Sequence, residues 1–540
     1  LQEFAGGVVL SEGLIQRQLK TAYTKLVTKL RRTKALQYSE KGGEKSSPKG
    51  ETPADPKDQV LPWGTRQFSS VSTAKSSSFF EKHPQAYFLI PFIVLLVLDA
   101  VVFLVVYPGI ASKDSSDVMK IILGLPFESH SFRYDSLNNH HPVLYIFIVG
   151  AIMKTALAVG LSEAIAVALV TLFHSLCMAF ACSYLTYKLA TYTKSRLFFL
   201  CCLCFFALNP LVAIYSVTIW KDILFAVFYL CFVIEVAGVA LTDRPQNVPK
   251  AAWVRLAVFA LVSILLRNNG IIALVATGVV ALIVSKHFRK QVLICFGSIL
   301  LIYAAVTGPL FAVLGVAPGH FSESVGVMLQ QVAYAVQQKG AIPEKAAAEF
   351  DSILPLNEWG DLYLETSANP VKFSDNFKDD ALESDKGAFI EAWAATGLSN
   401  PRLYFQAWIN QTSAFWSVKG KTWYLEKPGY SLDGGEKITS NKLEGLLSYK
   451  EVKSVFKKVK KAIPALFTIG WLVWGMLFVL FYNVCRRNYR FAFITLPLVF
   501  YWATYLVAAP ANDFRYMFPL LLAVPLLAYL FMWKVGPHER

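Results

Sequence analysis

Four polar stretches interrupt an otherwise apolar sequence, and each carries residue types suited to group transfer. The first, Pro108 to Pro142, places Asp114 and Asp117 shortly after Pro108-Gly109 and ends in Asn138-Asn139-His140-His141-Pro142. A carboxylate near imidazoles can take the proton of an incoming hydroxyl. The second runs from Asn209-Pro210 to Trp220-Lys221-Asp222, and the third is Arg267-Asn268-Asn269-Gly270. The fourth is Asn512-Asp513-Phe514-Arg515-Tyr516-Met517-Phe518-Pro519. Arginine grips phosphate with two parallel hydrogen bonds, so Arg267 and Arg515 suit an anionic ligand. One such contact at 4 Å is worth about 4 kcal/mol before desolvation, at an effective dielectric near 20. A structural account competes for each residue. Asp117 caps or solvates a short helix over Asp117–Leu125, Asp222 caps its own helix, Trp220 sits in an interfacial belt, and the arginines pair with Asp513 or Asp222.

These stretches must be positioned by what lies between them, and that is hydrocarbon-like. Of the 540 residues 55% are apolar and only 16% charged, with mean hydropathy +0.44. Ordinary globular domains have about 25% charged residues. The composition points to an all-α polytopic membrane protein and excludes a soluble enzyme, a disordered scaffold or a secreted disulfide framework. The formal charge of +15 sits largely in the N-terminal tail and in short loops between apolar runs. That is the pattern of cytoplasmic loops, and no nucleic-acid partner is expected. All eight cysteines lie in or beside apolar runs, and none falls between about Pro318 and Lys461. Cys201, Cys202 and Cys204 have no histidine or carboxylate at ligand spacing and read as small buried helix residues.

A membrane span needs about 20 apolar residues. Candidate segments are Tyr87–Tyr107, Val143–Val159, Ala164–Tyr187, Leu197–Val212, Ile223–Leu241, Ala252–Leu266, Ile271–Val284, Val292–Leu314, Ile463–Val484, Phe491–Val507 and Met517–Met532. Basic loops at Lys188–Arg196, Arg244–Arg255, Lys286–Lys290 and Arg486–Arg490, with the tail Lys534–Arg540, belong inside. Val143–Val159 and Ala164–Tyr187 cannot then both cross, and the shorter reads as a juxtamembrane or re-entrant helix. The expectation is about 10–11 transmembrane helices, roughly ten of them full spans, with all four polar stretches outside.

Four regions follow. Residues 1–84 form a cytoplasmic basic tail, with an amphipathic helix over Leu10–Leu36 and a disordered Tyr38–Ser78; no segment reads as a signal peptide. Residues 85–317 form an N-terminal transmembrane module whose first external loop, 108–142, carries the chemistry. Residues 318–461 form an extracytoplasmic, mostly helical soluble domain, with helices expected over Ser324–Gln338 and Lys378–Thr396. Residues 462–540 supply the C-terminal transmembrane helices. Most aromatics of the external domain, Trp359 among them, are expected in its core or its membrane-facing edge. The lysines from Lys450 to Lys461 either bind anionic lipid or polymer or snorkel at a helix start. Asp99, Lys154, Glu163, His174 and Glu235 lie in or near apolar runs, where an unpaired charge is costly.

In order along the chain, Asp114, His140-His141-Pro142, Asn209-Pro210 to Trp220-Lys221-Asp222, and Arg515-Tyr516-Met517-Phe518-Pro519 form a familiar series. Over about Tyr107 to Pro519 the chain resembles the GT-C superfamily of integral-membrane glycosyltransferases. The resemblance implies a GT-C-like fold in the plasma membrane, with the active site facing outside. It implies transfer of a sugar from a polyprenyl-phosphate donor to a cell-envelope glycan, glycolipid or polymer, amid membrane lipids. Asp114 is then the base of an inverting reaction, Asp222 a second carboxylate, and His140 orients the acceptor or assists a metal. Lys221, Arg267 and Arg515 would hold the lipid phosphate, and Asp117 and His141 would serve acceptor or metal. A divalent metal ion is compatible, although Asp114-Ser115-Ser116-Asp117 departs from the adjacent acidic pair of that superfamily. The alternative is a transporter or flippase for lipid or polysaccharide.

Overall fold

Backbone polar groups in an apolar setting must bond within their own segment, so long apolar runs fold as helices. The computed structural model describes residues 83–533 apart from 126–127, 130–131, 134–136, 138, 243–247, 425 and 433–434. The helix expected over Leu10–Leu36, the stretch Tyr38–Ser78 and the tail Lys534–Arg540 lie outside the described residues.

Among the described residues, five helices are long and apolar enough to cross a membrane: Ala86–Val105, Glu163–Thr193, Lys221–Ala240, Arg289–Val313 and Tyr489–Ala508. Two further spans arise if each bent pair counts as one. Arg196–Ala207 and Pro210–Ser216 meet at 59°, because Pro210 opens a new helix there and the Asn209 side chain caps it through Leu211 N at 3.0 Å. Phe514–Leu522 and Val524–Met532 meet at 42°. The remaining expected segments form helices of 15 to 17 residues: Val143–Ala158, Lys250–Leu266, Gly270–Val284 and Ile469–Cys485. Length and composition thus support five to seven crossings rather than ten. Within Arg289–Val313 the α-helical ladder is broken by a π-helical turn, Val306–Leu310, containing Pro309.

Lys221–Ala240 is buried along most of its length and packs against Lys250–Leu266, Glu163–Thr193, Tyr489–Ala508 and Phe518–Leu522. It is the central post, and the residues at its first turn are Lys221 and Asp222. The 318–461 region has a core of its own around Leu329, Val332, Phe350, Trp359 and Phe389. Its helices include Gly326–Gln337, Glu344–Ile353, Lys386–Ser399 and Pro401–Thr412. The single helix expected over Lys378–Thr396 is two, Asp379–Ser384 and Lys386–Ser399, because the Asp385 side chain caps a fresh start at Ala388 N.

Strands are few. β1 (Ile110–Ala111) pairs in parallel with β4 (Thr218–Ile219), and β2 (Glu128–Ser129) pairs antiparallel with β3 (Phe132–Arg133). The first pair positions the site.

Candidate functional site

Gly109 opens the approach to β1 at φ +142°, and a Cβ there would run into the Thr171 side chain. Thr171 Oγ1 instead donates to Pro108 O at 2.7 Å. Ile110 N donates to Val217 O at 3.0 Å and sets the register Ile110↔Thr218 and Ala111↔Ile219. A third segment joins them: Ala111 N donates to Gly429 O at 3.0 Å, and Gly429 N to Gly109 O at 2.8 Å. Directly after β1, Ser112 and Ser115 cap helix Lys113–Leu123 reciprocally, each accepting the other's backbone N–H at 3.2 Å. Ser115 Oγ also donates to Ile219 O. Asp114, in the first turn of one element, is thereby held beside Trp220, the residue preceding the first turn of another.

The fourth stretch is fastened the same way. Trp423 N donates to Asn512 O and Phe514 N to Trp423 O, both at 3.0 Å. Asp513 Oδ1 accepts Arg515 N at 3.0 Å and caps the turn Phe514–Met517.

Arg515 is the hub. Its Nη1 donates to Asp114 Oδ2 at 3.2 Å, its Nη2 to Tyr516 Oη at 3.1 Å, and its Nε lies 3.3 Å from Asp513 Oδ2 and 3.5 Å from Asp222 Oδ2. The guanidinium lies over the Trp220 ring at 3.8 Å, and Trp220 Nε1 donates to Asp114 Oδ2 at 3.3 Å. Asp222 also pairs through Oδ1 with Arg267, whose guanidinium stands 4.7 Å from the Tyr516 ring. The contacts run Asp114–Arg515–Asp222–Arg267 without a gap.

The two carboxylates expected to act together differ in access. The Asp114 side chain is 33% exposed and Asp222 only 2%. Asp222 is enclosed by two guanidinium groups and positions them; Asp114 is the carboxylate that an incoming molecule can reach. The arginines, expected to hold phosphate, already face Asp114, Asp222 and Asp513. Lys221 is different. Its Nζ meets the His140 carbonyl and His141 Nδ1, both at 3.4 Å, and among the described residues no carboxylate lies within ion-pair distance of it. The two imidazoles meet edge to face at 4.7 Å.

Burial would raise the Asp114 carboxyl, but the charges of Arg515 and then Lys221 outweigh it and hold Asp114 well below the usual carboxylate range. Burial, with Lys221 adding to it, pushes His140 down to about 4 and His141 well below its ordinary value. Both imidazoles are therefore neutral at neutral pH. Asp117, one turn beyond Asp114, is raised to about 6 by burial and then by the charge of Asp114. Burial likewise takes Asp513 to about 6, against the pull of Arg515.

Sequence reasoning missed several members. Asp513, expected only as a partner for arginine, also caps the turn that carries Arg515. Glu323 pairs with the buried Lys372 at 2.8 Å and its charge acts on His140; His320, three residues before Glu323, pairs with Asp379. Trp220, read as a belt residue, is 3% exposed and roofs Arg515. Other residues singled out lie elsewhere: Glu235 forms a twofold pair with Arg255 at 2.9 and 3.1 Å, and His174 meets Tyr145 Oη at 3.5 Å. Among the described residues, no three His, Cys, Asp or Glu side chains cluster to hold a metal ion. The donor set suits one poorly: a cation beside Asp114 would sit against Arg515 and Lys221.

Fold and site together define a multi-helix protein with helices fit to cross a membrane and one charged face built by four distant stretches. The chain belongs to DUF6020, a family of unknown function, whose model matches residues 133–539. His140, His141, Lys221, Asp222, Arg267 and Arg515 lie within the matched stretch, whereas Asp114 and Asp117 precede it. No curated protein and no solved structure matches the chain.

Proposed function

We propose that the protein is a GT-C-type membrane glycosyltransferase that moves a sugar from a polyprenyl-phosphate donor to a cell-envelope acceptor on the outer face of the plasma membrane. The observation that carries this reading is Asp114, a partly exposed carboxylate kept ionised by Arg515, beside the part-buried Lys221, which among the described residues has no carboxylate within ion-pair distance.

In the reaction, the acceptor hydroxyl oxygen attacks the anomeric carbon from the face opposite the leaving group. The bond from that carbon to the phosphate oxygen breaks, and its electron pair leaves with the lipid phosphate. Asp114 takes the hydroxyl proton as the new bond forms, and the opposite-face attack gives inversion. Lys221 faces the charge that develops on the departing phosphate. Asp222 acts through the arginines as a positioning residue. The neutral His140 offers a hydrogen bond to the acceptor without competing for the proton, and the buried His141 positions Lys221. In this orientation the basic loops stay inside, and the four polar stretches meet outside.

The test supplies purified protein with labelled polyprenyl-phosphate sugars and envelope extract. Wild type should transfer label, and Asp114→Asn should lose about a hundredfold to ten-thousandfold in rate, the usual worth of a general base. Lipid movement across vesicles by wild type, with no sugar transferred from any donor tried, would overturn the proposal in favour of a transporter.

A further inference from the structure

The helices that end in the charged face have opposite ends, and those ends enclose a cavity of about 530 Å³. It falls within the range of small-molecule and cofactor sites, roughly 300–1,000 Å³. Its walls come from the last turns of Lys221–Ala240 and Gly270–Val284, the early turns of Lys250–Leu266 and Arg289–Ala305, and the facing ends of Ile469–Cys485 and Tyr489–Ala508. Val236, Leu256, Ala281, Val292, Phe296 and Leu496 make it apolar. The one polar side chain deep in the wall that is fully buried, Thr277, is already satisfied by Ala273 O at 2.7 Å. Lys286, His287 and Arg490 stand in the lining as well, on the loop after Gly270–Val284 and in the first turn of Tyr489–Ala508.

An apolar chamber with cations at one rim matches a molecule with a long hydrocarbon chain and an anionic head. Water gains nothing in such a chamber, since it would find few polar partners there. We infer that this cavity is a binding site for an anionic phospholipid of the surrounding membrane, with an acyl chain among the apolar walls and its phosphate between Lys286 and Arg490. Basic groups at this end of the helices also lie where anionic lipid headgroups concentrate.

The site is separate from the charged face. Val236 lies about four turns beyond Asp222 on the same helix, roughly 21 Å away. The inference requires only that the helices lie in a membrane, and it stands whether or not sugar transfer occurs at Asp114. Because the central post runs from one site to the other, a lipid seated here braces the helix whose first turn carries Lys221 and Asp222.

The experiment places the full chain in phosphatidylcholine nanodiscs with a trace of photoreactive phosphatidylglycerol and maps adducts by mass spectrometry. Adducts should concentrate on peptides covering 236–242, 277–296 and 480–496, and unlabelled phosphatidylglycerol should compete them away. Lys286→Gln combined with Arg490→Gln should lower the yield about tenfold or more, the scale set by two basic groups at a membrane surface. Val280→Trp, which narrows the cavity and leaves the charge unchanged, should lower it independently and remains informative if the charge variant does not fold. Adducts spread evenly over apolar helices, equal competition by phosphatidylcholine, displacement only by polyprenyl phosphate, or no effect of Val280→Trp would each overturn the inference.

Discussion

Arg515 donates to Asp114 at 3.2 Å across 401 positions of sequence, and the same guanidinium reaches Asp222 and Asp513. One side chain thus fixes the charge state of the reachable carboxylate and ties it to the two that are buried.

Removing that charge should be visible in the pH profile of activity. Asp114 is held well below the usual carboxylate range chiefly because Arg515 and Lys221 outweigh its burial. A base with a depressed pKa stays ionised until the medium is strongly acidic, so wild-type activity should lack an acid limb in the mildly acidic range. Arg515→Gln leaves burial unopposed on that side, and the limb should move up toward neutral pH. A profile unchanged by the substitution would show that Asp114 does not titrate in the reaction.

Asp222 sits at 2% exposure between two guanidinium groups, and its removal should act on stability. Truncating one partner of a buried ion pair leaves the other charge uncompensated, at a cost of about 3–5 kcal/mol. Asp222→Ala should therefore lower the unfolding temperature in detergent strongly, and Asp222→Asn less, since the amide still offers an acceptor to Arg267. Equal, small effects from both would mean that the pair is not part of the framework.

Trp220 gives two separable services: its ring face carries Arg515 and its indole N–H orients Asp114. Trp220→Phe keeps an aromatic face and deletes the donor. Hydrogen bonds to charged groups contribute about 1.5–3 kcal/mol, so kcat should fall about tenfold or more, with KM for the donor nearly unchanged. A change confined to KM would assign Trp220 to binding instead.

Asp117 predicts a pH-dependent stability difference. Its carboxyl rises from the ordinary 3.8 to about 6 in the folded chain, through burial and the neighbouring Asp114. Between those values the folded state binds more protons than the unfolded state, so this group lowers stability as pH rises. Asp117→Asn mimics the protonated form. The variant should match wild type below about pH 4 and be the more stable one above about pH 6, in parallel thermal melts. A difference that is constant with pH, or larger in acid, would reverse the assignment.

The helices were legible because long apolar runs admit few alternatives: Ala86–Val105, Lys221–Ala240 and Tyr489–Ala508 lie within a few residues of where hydropathy places them. Their ends and breaks were less so. The bend at Asn209-Pro210 depends on a cap, and the π-helical turn at Val306–Leu310 falls inside a segment read as one span, although Thr307-Gly308-Pro309 marks the place. For the site, the outlying charges Asp114, Lys221, Asp222, Arg267 and Arg515 stood out against apolar surroundings. Pairing of the arginines with Asp222 and Asp513 was legible from their opposite charges, but that of Arg515 with Asp114 was not, because no periodicity relates the two. Nor does sequence distinguish the enclosed Asp222 from the accessible Asp114. That difference arises only when Arg267 and Arg515 close over one and leave the other at the rim.

The joint between β1 and β4 is made of amide and carbonyl groups, as are the links to Gly429 and from Trp423 to Asn512 and Phe514. Every residue except proline owns both groups, so the spacing of the charged face is written in atoms that substitution does not erase. Identity at 110–111 or 218–219 is therefore free to drift within limits of size. Chain length is not: one residue inserted between β1 and Asp114, or between β4 and Asp222, would turn a carboxylate by about 100° around its helix. In this chain the ruler of the site is the count of residues, and deletions and insertions should be tested there before replacements.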